Sequence, residues 1–312
     1  MANLPVSIGG RRSTGVAAAL GRRKTLTAYV FLAPFLVLFA VFVLAPIVIG
    51  LWVSLHDWNP LLPNQPFVGL KNYTDLFTPG TFTSGDFWLG MRATGLFTVA
   101  SVPFLIVVPF GLAVLLNQRL KGGTVFRAIF FAPYVLGVAV IGVMWQFLLD
   151  PQTGALNQVL GVLGLPDDTP WTVDVPWAWI SLVGVTIWWT MGFNTVILLA
   201  GLQGINRELY DAAAVDGAGA WRKLTGVTLP GLRPVFMFIT TISILASANM
   251  FGQSFLITKG APGNETRTAI MYIADQGLTQ SQMGSASAMS YILFAFLAVV
   301  SVINFRLQWE KN

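Results

Sequence analysis

The chain has 312 residues, of which 55% are hydrophobic and only 10% charged; its mean hydropathy is +0.69 and its formal net charge +5. A soluble domain carries about 25% charged residues, so this chain lacks the polar surface to cover itself, and lipid is its expected solvent. With no cysteine and a single histidine, His56, it excludes disulfides, Cys-ligated zinc, iron–sulfur clusters and thiol catalysis, and leaves little material for a His-based metal site.

Residues 1–25 read as a flexible basic tail and 26–312 as one transmembrane domain. A bilayer core needs about 20 mostly apolar residues per helix. Six stretches qualify: 27–55, 92–118, 128–149, 177–204, 235–258 and 288–305. The expected class is all-α, polytopic, with six transmembrane helices. The first apolar run is far longer than a signal-peptide core and lacks a small-residue cleavage pattern, so it reads as a retained helix.

All but four of the 18 Lys and Arg fall in the N-terminal segment, the second and fourth loops, and the C-terminal segment. The exceptions are Lys71, Arg92, Lys259 and Arg267. Basic residues concentrate on the cytoplasmic side, so both termini and the even loops are expected there. The same rule accounts for the positive charge without a nucleic-acid partner. Trp52, Trp58, Trp171, Trp177, Trp179 and Trp309 sit near span ends, as an interfacial belt requires. Pro34, Pro46, Pro103, Pro109 and Pro133 lie inside spans, where neighbouring helices can satisfy the freed backbone. The sequence leaves open whether they make kinks or broken ends lining a cavity.

The fourth loop, 205–230, differs from the others. It is polar and rich in small residues, yet regular. Helix formers run from Glu208, an acidic residue suited to a helix N-terminus, to Val215. Asp216-Gly217 is a turn signal. Trp221, Leu224 and Val227 then follow at helical spacing, and Leu229-Pro230 ends the segment. Two short helices joined at Gly217 are expected. Ala212, Ala213 and Ala214 would let a partner approach closely.

This loop resembles the conserved cytoplasmic loop of binding-protein-dependent ABC importer permeases: Glu-Ala-Ala, three residues, Gly, nine residues, Ile-x-Leu-Pro. Here it runs Asp211-Ala212-Ala213, Gly217, Val227-x-Leu229-Pro230, with both spacings kept and Asp and Val replacing Glu and Ile. The segments 46–58 and 67–73, together with 150–157, 258–263 and 284–288, are similar to carbohydrate permeases of the maltose and glycerol-phosphate type, specifically the first of an unlike permease pair. The resemblance covers nearly everything after residue 25. It implies a type I ABC importer permease fold, with the loop as a coupling helix seated on an ATPase. Glu208, Asp211, Ala212, Ala213, Asp216, Gly217, Leu229 and Pro230 would form that seat, Asp211 pairing with a basic ATPase residue.

The resemblance also implies the partners: a second, homologous permease, an ABC ATPase dimer and an extracytoplasmic solute-binding protein. No P-loop is present, so no cofactor is expected on this chain; ATP and Mg belong to the ATPase. It would be a transport subunit and not an enzyme, multi-pass in the inner membrane. No Asp, Glu or Lys lies within the six stretches, which removes the usual mark of an ion-coupled pathway and favours a neutral di- or oligosaccharide. A charged solute such as glycerol phosphate would need Arg92 or a partner chain to supply positive charge. Candidate solute contacts are Trp188, Asn194 and Thr195 in the fourth span and Ser243, Ser247, Asn249, Met250 and Gln253 in the fifth. By resemblance, 188–195, including Gly192, and 243–250 align with sugar-contacting regions. The competing reading is a stand-alone secondary carrier or channel, which would transport without ATP.

Overall fold

The computed structural model describes residues 29–118 and 122–309. The expected basic tail, 1–25, lies outside them. Among the described residues the regular structure is all helical, apart from one antiparallel bridge between His56 and Phe67. Four helices are long and apolar enough to cross a membrane, and six spans result when each of two bent helix pairs counts as one. Contacts divide the chain into two units between Val53 and Ser54.

The first unit contains all but the last residue of the helix Tyr29–Ser54, of hydropathy 2.9 and with no residue of its apolar window buried. Its turn Ala40–Leu44 is widened to π geometry, so that the Ala45 N–H reaches Ala40 O. The widening falls directly ahead of Pro46, which has no N–H to donate.

In the second unit the second span is the longest helix, Phe82–Asn117, capped by Thr81, whose hydroxyl accepts from Ser84 N. It starts ten residues ahead of the expected 92. The added stretch carries Asp86. Its inner face is nevertheless apolar: Phe87 and Met91 pack with Leu76, Tyr272, Met289 and Leu293. Gly90 lets it approach Ala269 so closely that a Cβ would stand 3.0 Å from the Ala269 backbone.

The third span, expected as one helix over 128–149, is broken. Gly123–Val135 and Val138–Leu148 meet at 96°. Pro133 frees the carbonyl of Ile129 and weakens the last turn. The chain then extends at Leu136 and Gly137 before a new helix starts. The fourth span is continuous, Trp177–Gly204. The fifth was expected over 235–258, but its helix Arg233–Ala248 ends early. The Thr268 hydroxyl donates to Met250 O at 2.7 Å, and Gly252 admits Val138, whose Cγ2 would be 2.5 Å from an added Cβ. The sixth span runs Met283–Trp309.

The loop after the third span is a small folded unit. The Asp150 carboxylate accepts from Thr153 N at 2.8 Å and Gln152 N at 3.0 Å. Those two backbone donors, with the Thr153 hydroxyl, hold its carboxyl below the usual range. A helix follows, Ala155–Val162. Asn157 ties it down, donating to Pro151 O and Thr169 O and accepting from Trp171 Nε1. Asp167 and Asp168 are exposed, Asp167 in a bend.

Candidate functional site

Two regions carry the predicted residues. The first is the loop after the fourth span. Asn206 caps the helix Arg207–Val215, its side chain accepting from Glu208 N at 3.0 Å. The end is a Schellman motif: Ala218 N donates to Ala213 O at 2.8 Å and Gly217 N to Ala214 O at 3.1 Å. Gly217 therefore has φ +75, a left-handed conformation that glycine adopts without penalty. Nothing lies within 4 Å of where its Cβ would be, so conformation and not space demands glycine here.

The second helix, Ala220–Gly231, includes a π turn at Leu224–Thr228 in which Leu229 N reaches Leu224 O, again directly ahead of a proline, Pro230. It bends by 66° into Arg233–Ala248. Glu208, Asp211, Ala212, Asp216, Gly217, Leu229 and Pro230 are all exposed, and Ala213 is half-buried. Asp211 has no ion-pair partner among the described residues. Beside them Leu209, Val215 and Trp221 expose large apolar surface, Val215 to 89%. The segment is rigidly built yet leaves its apolar and acidic face uncovered.

The second region is a cavity of about 510 Å³ between the second, third, fourth and fifth spans. Its depth follows from register along the fourth span. Leu182 and Val185 belong to one packed cluster, with Phe97, Ile141 and Met250. Leu198 and Leu202 belong to another, with Ala113, Leu232 and Ile239. The cavity is lined by residues between these clusters: Thr186, Trp189, Thr190, Phe193 and Asn194. Tyr134 and Val138 reach it from either side of the third-span break, and Asn249 to Gln253 from the end of the fifth-span helix. The two breaks thus deliver irregular backbone to one place, as solute-binding membrane proteins do.

Asn194, Ser243, Ser247, Asn249, Met250 and Gln253 line this cavity. Trp188, Gly192 and Thr195 do not. Trp188 packs edge-on against Trp145, ring centroids 5.4 Å apart. Gly192 lies against the third span, where an added Cβ would stand 2.3 Å from Phe130 O. Thr195 donates to Met191 O at 2.6 Å. The residue beside Trp188 contributes instead: Trp189 lines the cavity, and its Nε1 donates to Leu136 O at 3.1 Å, fastening the break in the third span. Tyr134 and Phe193, stacked at 4.8 Å, complete an aromatic wall.

Asn194 has a structural duty as well. Pro109 lacks the N–H that would pair with Leu105 O four residues earlier. The Asn194 amide donates to that carbonyl at 2.8 Å. Its Oδ1, the Ser243 hydroxyl and the Gln253 Oε1 have no protein partner among the described residues and stand at the cavity wall. No Asp, Glu, Lys, Arg or His lines the cavity. Arg92 pairs at 3.8 Å with Glu265, away from it.

Residues 96–308 match the family described as binding-protein-dependent transport system inner membrane component. A probable ABC transporter permease protein of Sinorhizobium fredii is 33% identical over 290 residues, covering 91% of this chain and 92% of that protein. The trehalose/maltose transport system permease protein MalF of Thermococcus litoralis is 30% identical, covering 90% and 93%. The arabinooligosaccharides transport system permease protein AraP of Bacillus subtilis is 34% identical, covering 91% and 89%. Among solved structures, a chain of a bacterial ABC transporter involved in import of the acidic polysaccharide alginate shares the fold. Its TM-score is 0.80 at 22% identity, covering 94% of this chain and 99% of that one.

Proposed function

This chain belongs to the family of binding-protein-dependent transport system inner membrane components, and we propose that it forms half of the translocation pathway of an ATP-driven importer of neutral oligosaccharides. It is a transport subunit, and ATP hydrolysis resides on a separate ATPase. A second, homologous permease supplies the other half of the pathway. An extracytoplasmic binding protein delivers solute, as the alginate importer's complex with its periplasmic protein suggests by analogy. Both termini and the loop 205–230 face the cytoplasm, where basic residues concentrate.

The observation that carries the reading is the uncovered face of that loop. Glu208, Asp211, Ala212 and Ala213 lie on a helix locked by its own caps, and Leu209, Val215 and Trp221 expose apolar surface beside them. A preorganised exposed face costs little to dock. Asp216 and Gly217 fix the bend, and Leu229-Pro230 fixes the exit to the fifth span. Solute passes the 510 Å³ cavity. Trp189 offers an aromatic face to sugar C–H groups, and Asn194, Ser243 and Gln253 offer hydrogen bonds to hydroxyls. The absence of ionisable lining groups, apart from the Tyr134 phenol, matches a neutral ligand better than a uronate.

Purification of the tagged chain from its host in mild detergent tests this. A second permease and an ATPase should accompany it, with hydrolysis stimulated by the binding protein. Asp211→Lys should strip the ATPase from the complex. Transport by the isolated chain in liposomes without ATP would replace the reading with that of a stand-alone carrier.

A further inference from the structure

The loop helix Arg207–Val215 and the helix Ala220–Gly231 are joined covalently through residues 216–219, which include two glycines. The Schellman bonds hold Gly217 to the first helix, which leaves Ala218-Gly219 as the joint that can flex. Among the described residues one side-chain hydrogen bond links the two helices directly: Tyr210 Oη to Thr228 Oγ1 at 2.9 Å. Thr228 also donates to Lys223 O at 3.3 Å. Its single proton is thereby used, so Tyr210 is the donor and Thr228 the acceptor between them. Thr228 is buried, 6% exposed. It closes the π turn two residues before Pro230.

Beyond the kink, Leu232 is fully buried against Leu198 and Leu202. The helix Arg233–Ala248 then runs unbroken to the cavity, which Ser243 and Ser247 line about 15 Å and about 21 Å along the helix from Arg233. The bond sits where force on the loop helix must cross to the fifth span.

We propose that the Tyr210–Thr228–Lys223 hydrogen-bond chain is the positioning element that makes the loop helix and the base of the fifth span move as one body. The proposal rests on the loop being the ATPase seat. Tyr210 is not part of that seat; it acts through Thr228. Without the bond, the docked helix could tilt about Ala218 and Gly219 while the fifth span stays in place.

The test uses the whole importer in nanodiscs, and the chain's lack of cysteine makes it direct. Ala246→Cys places one thiol in the cavity wall, and its reactivity to a membrane-impermeant maleimide is followed on this chain before and after MgATP with vanadate. No sugar is needed. In the parent, nucleotide should change the labelling rate. Tyr210→Phe and Thr228→Val should each shrink that change by about threefold to tenfold, the factor one net hydrogen bond represents, with ATPase retention unchanged. Thr228→Ser, which keeps the hydroxyl, should restore it. An undiminished change in both Tyr210→Phe and Thr228→Val overturns the proposal. So does failure of Thr228→Ser to rescue, or loss of the ATPase from the Tyr210→Phe complex, since the residue would then act by bulk or as part of the seat. If Asp211→Lys leaves ATPase retention intact, the seat itself is refuted and the proposal falls with it.

Discussion

Replacing Asn194 by leucine removes the amide that serves Leu105 O and leaves that carbonyl bare inside the helix bundle. An unpaired buried acceptor costs about 1–3 kcal/mol. Hydrogen bonds between membrane helices average about 0.6 kcal/mol and reach about 1.7 kcal/mol. A loss of about 1–2 kcal/mol is therefore expected for Asn194→Leu. Pro109→Ala restores the N–H that Leu105 O lacks, since residue 109 is four positions further along the same helix. In that background Leu105 O no longer depends on Asn194, and Asn194→Leu should cost only a few tenths of a kcal/mol. The four proteins of this cycle can be compared by reversible SDS titration in mixed micelles, reading unfolding free energy. The expected coupling is about 1 kcal/mol, within the range for residues sharing one network. Simple additivity would refute the assignment, because a carbonyl served by Asn194 must respond to a competing donor.

Gly217→Ala places a Cβ at φ +75, a conformation that costs non-glycine residues about 1 kcal/mol. The ATPase should co-purify about fivefold less well, with unchanged yield of the folded chain. Gly192→Ala forces a methyl within 2.3 Å of Phe130 O. Overpacking against backbone costs about 1–3 kcal/mol or more, so fluorescence-detected size exclusion should show a sharply reduced monodisperse peak. Trp189→Phe keeps an aromatic wall but drops the bond to Leu136 O, whereas Trp189→Ala removes both. Sugar uptake should fall modestly in the first and about tenfold or more in the second. Trp188→Ala should lower stability through its packing on Trp145, and the surviving protein should keep its sugar preference; a changed preference would place Trp188 in the pathway.

The membrane class and the loop 205–230 were legible because their signals are local. Apolar length marks a span. The helix formers from Glu208 and the Asp216-Gly217 turn signal specify a helix and its end without help from the rest of the chain. The broken spans were legible only in part. Pro133 announced a weak point, but the 96° bend also needs Gly137 and the fourth span to hold it, through Trp189 and Leu136. The fifth span reads as unbroken apolar sequence to Thr258, yet Thr268 and Val138 favour irregular backbone at 249–253 over another helical turn. Those contacts lie far away in sequence.

The cavity wall was the least legible. The fourth span is apolar nearly all round, so no periodicity separates Trp188 from Trp189. Adjacent residues point about 100° apart, and packing against Trp145 decides which one faces the cavity. Asn194 and Pro109 were both conspicuous in the sequence. Their pairing was not, because only the crossing of two spans brings the proline's missing N–H opposite the asparagine.

The widened turns before Pro46 and Pro230 bear on how the chain tolerates changes in length. In an ordinary helix, losing one residue swings everything beyond it by about 100° and turns buried faces toward lipid. A π turn already holds one residue more than the α-helical path requires. A single deletion within 40–44 can therefore be absorbed by closing the turn to α geometry, leaving the face presented by the rest of the first span where it was. The same deletion within 224–228 would also spare the register of the fifth span, but it would draw Thr228 away from Tyr210. The two bulges are alike in backbone, and the second carries a side-chain contact that fixes its length.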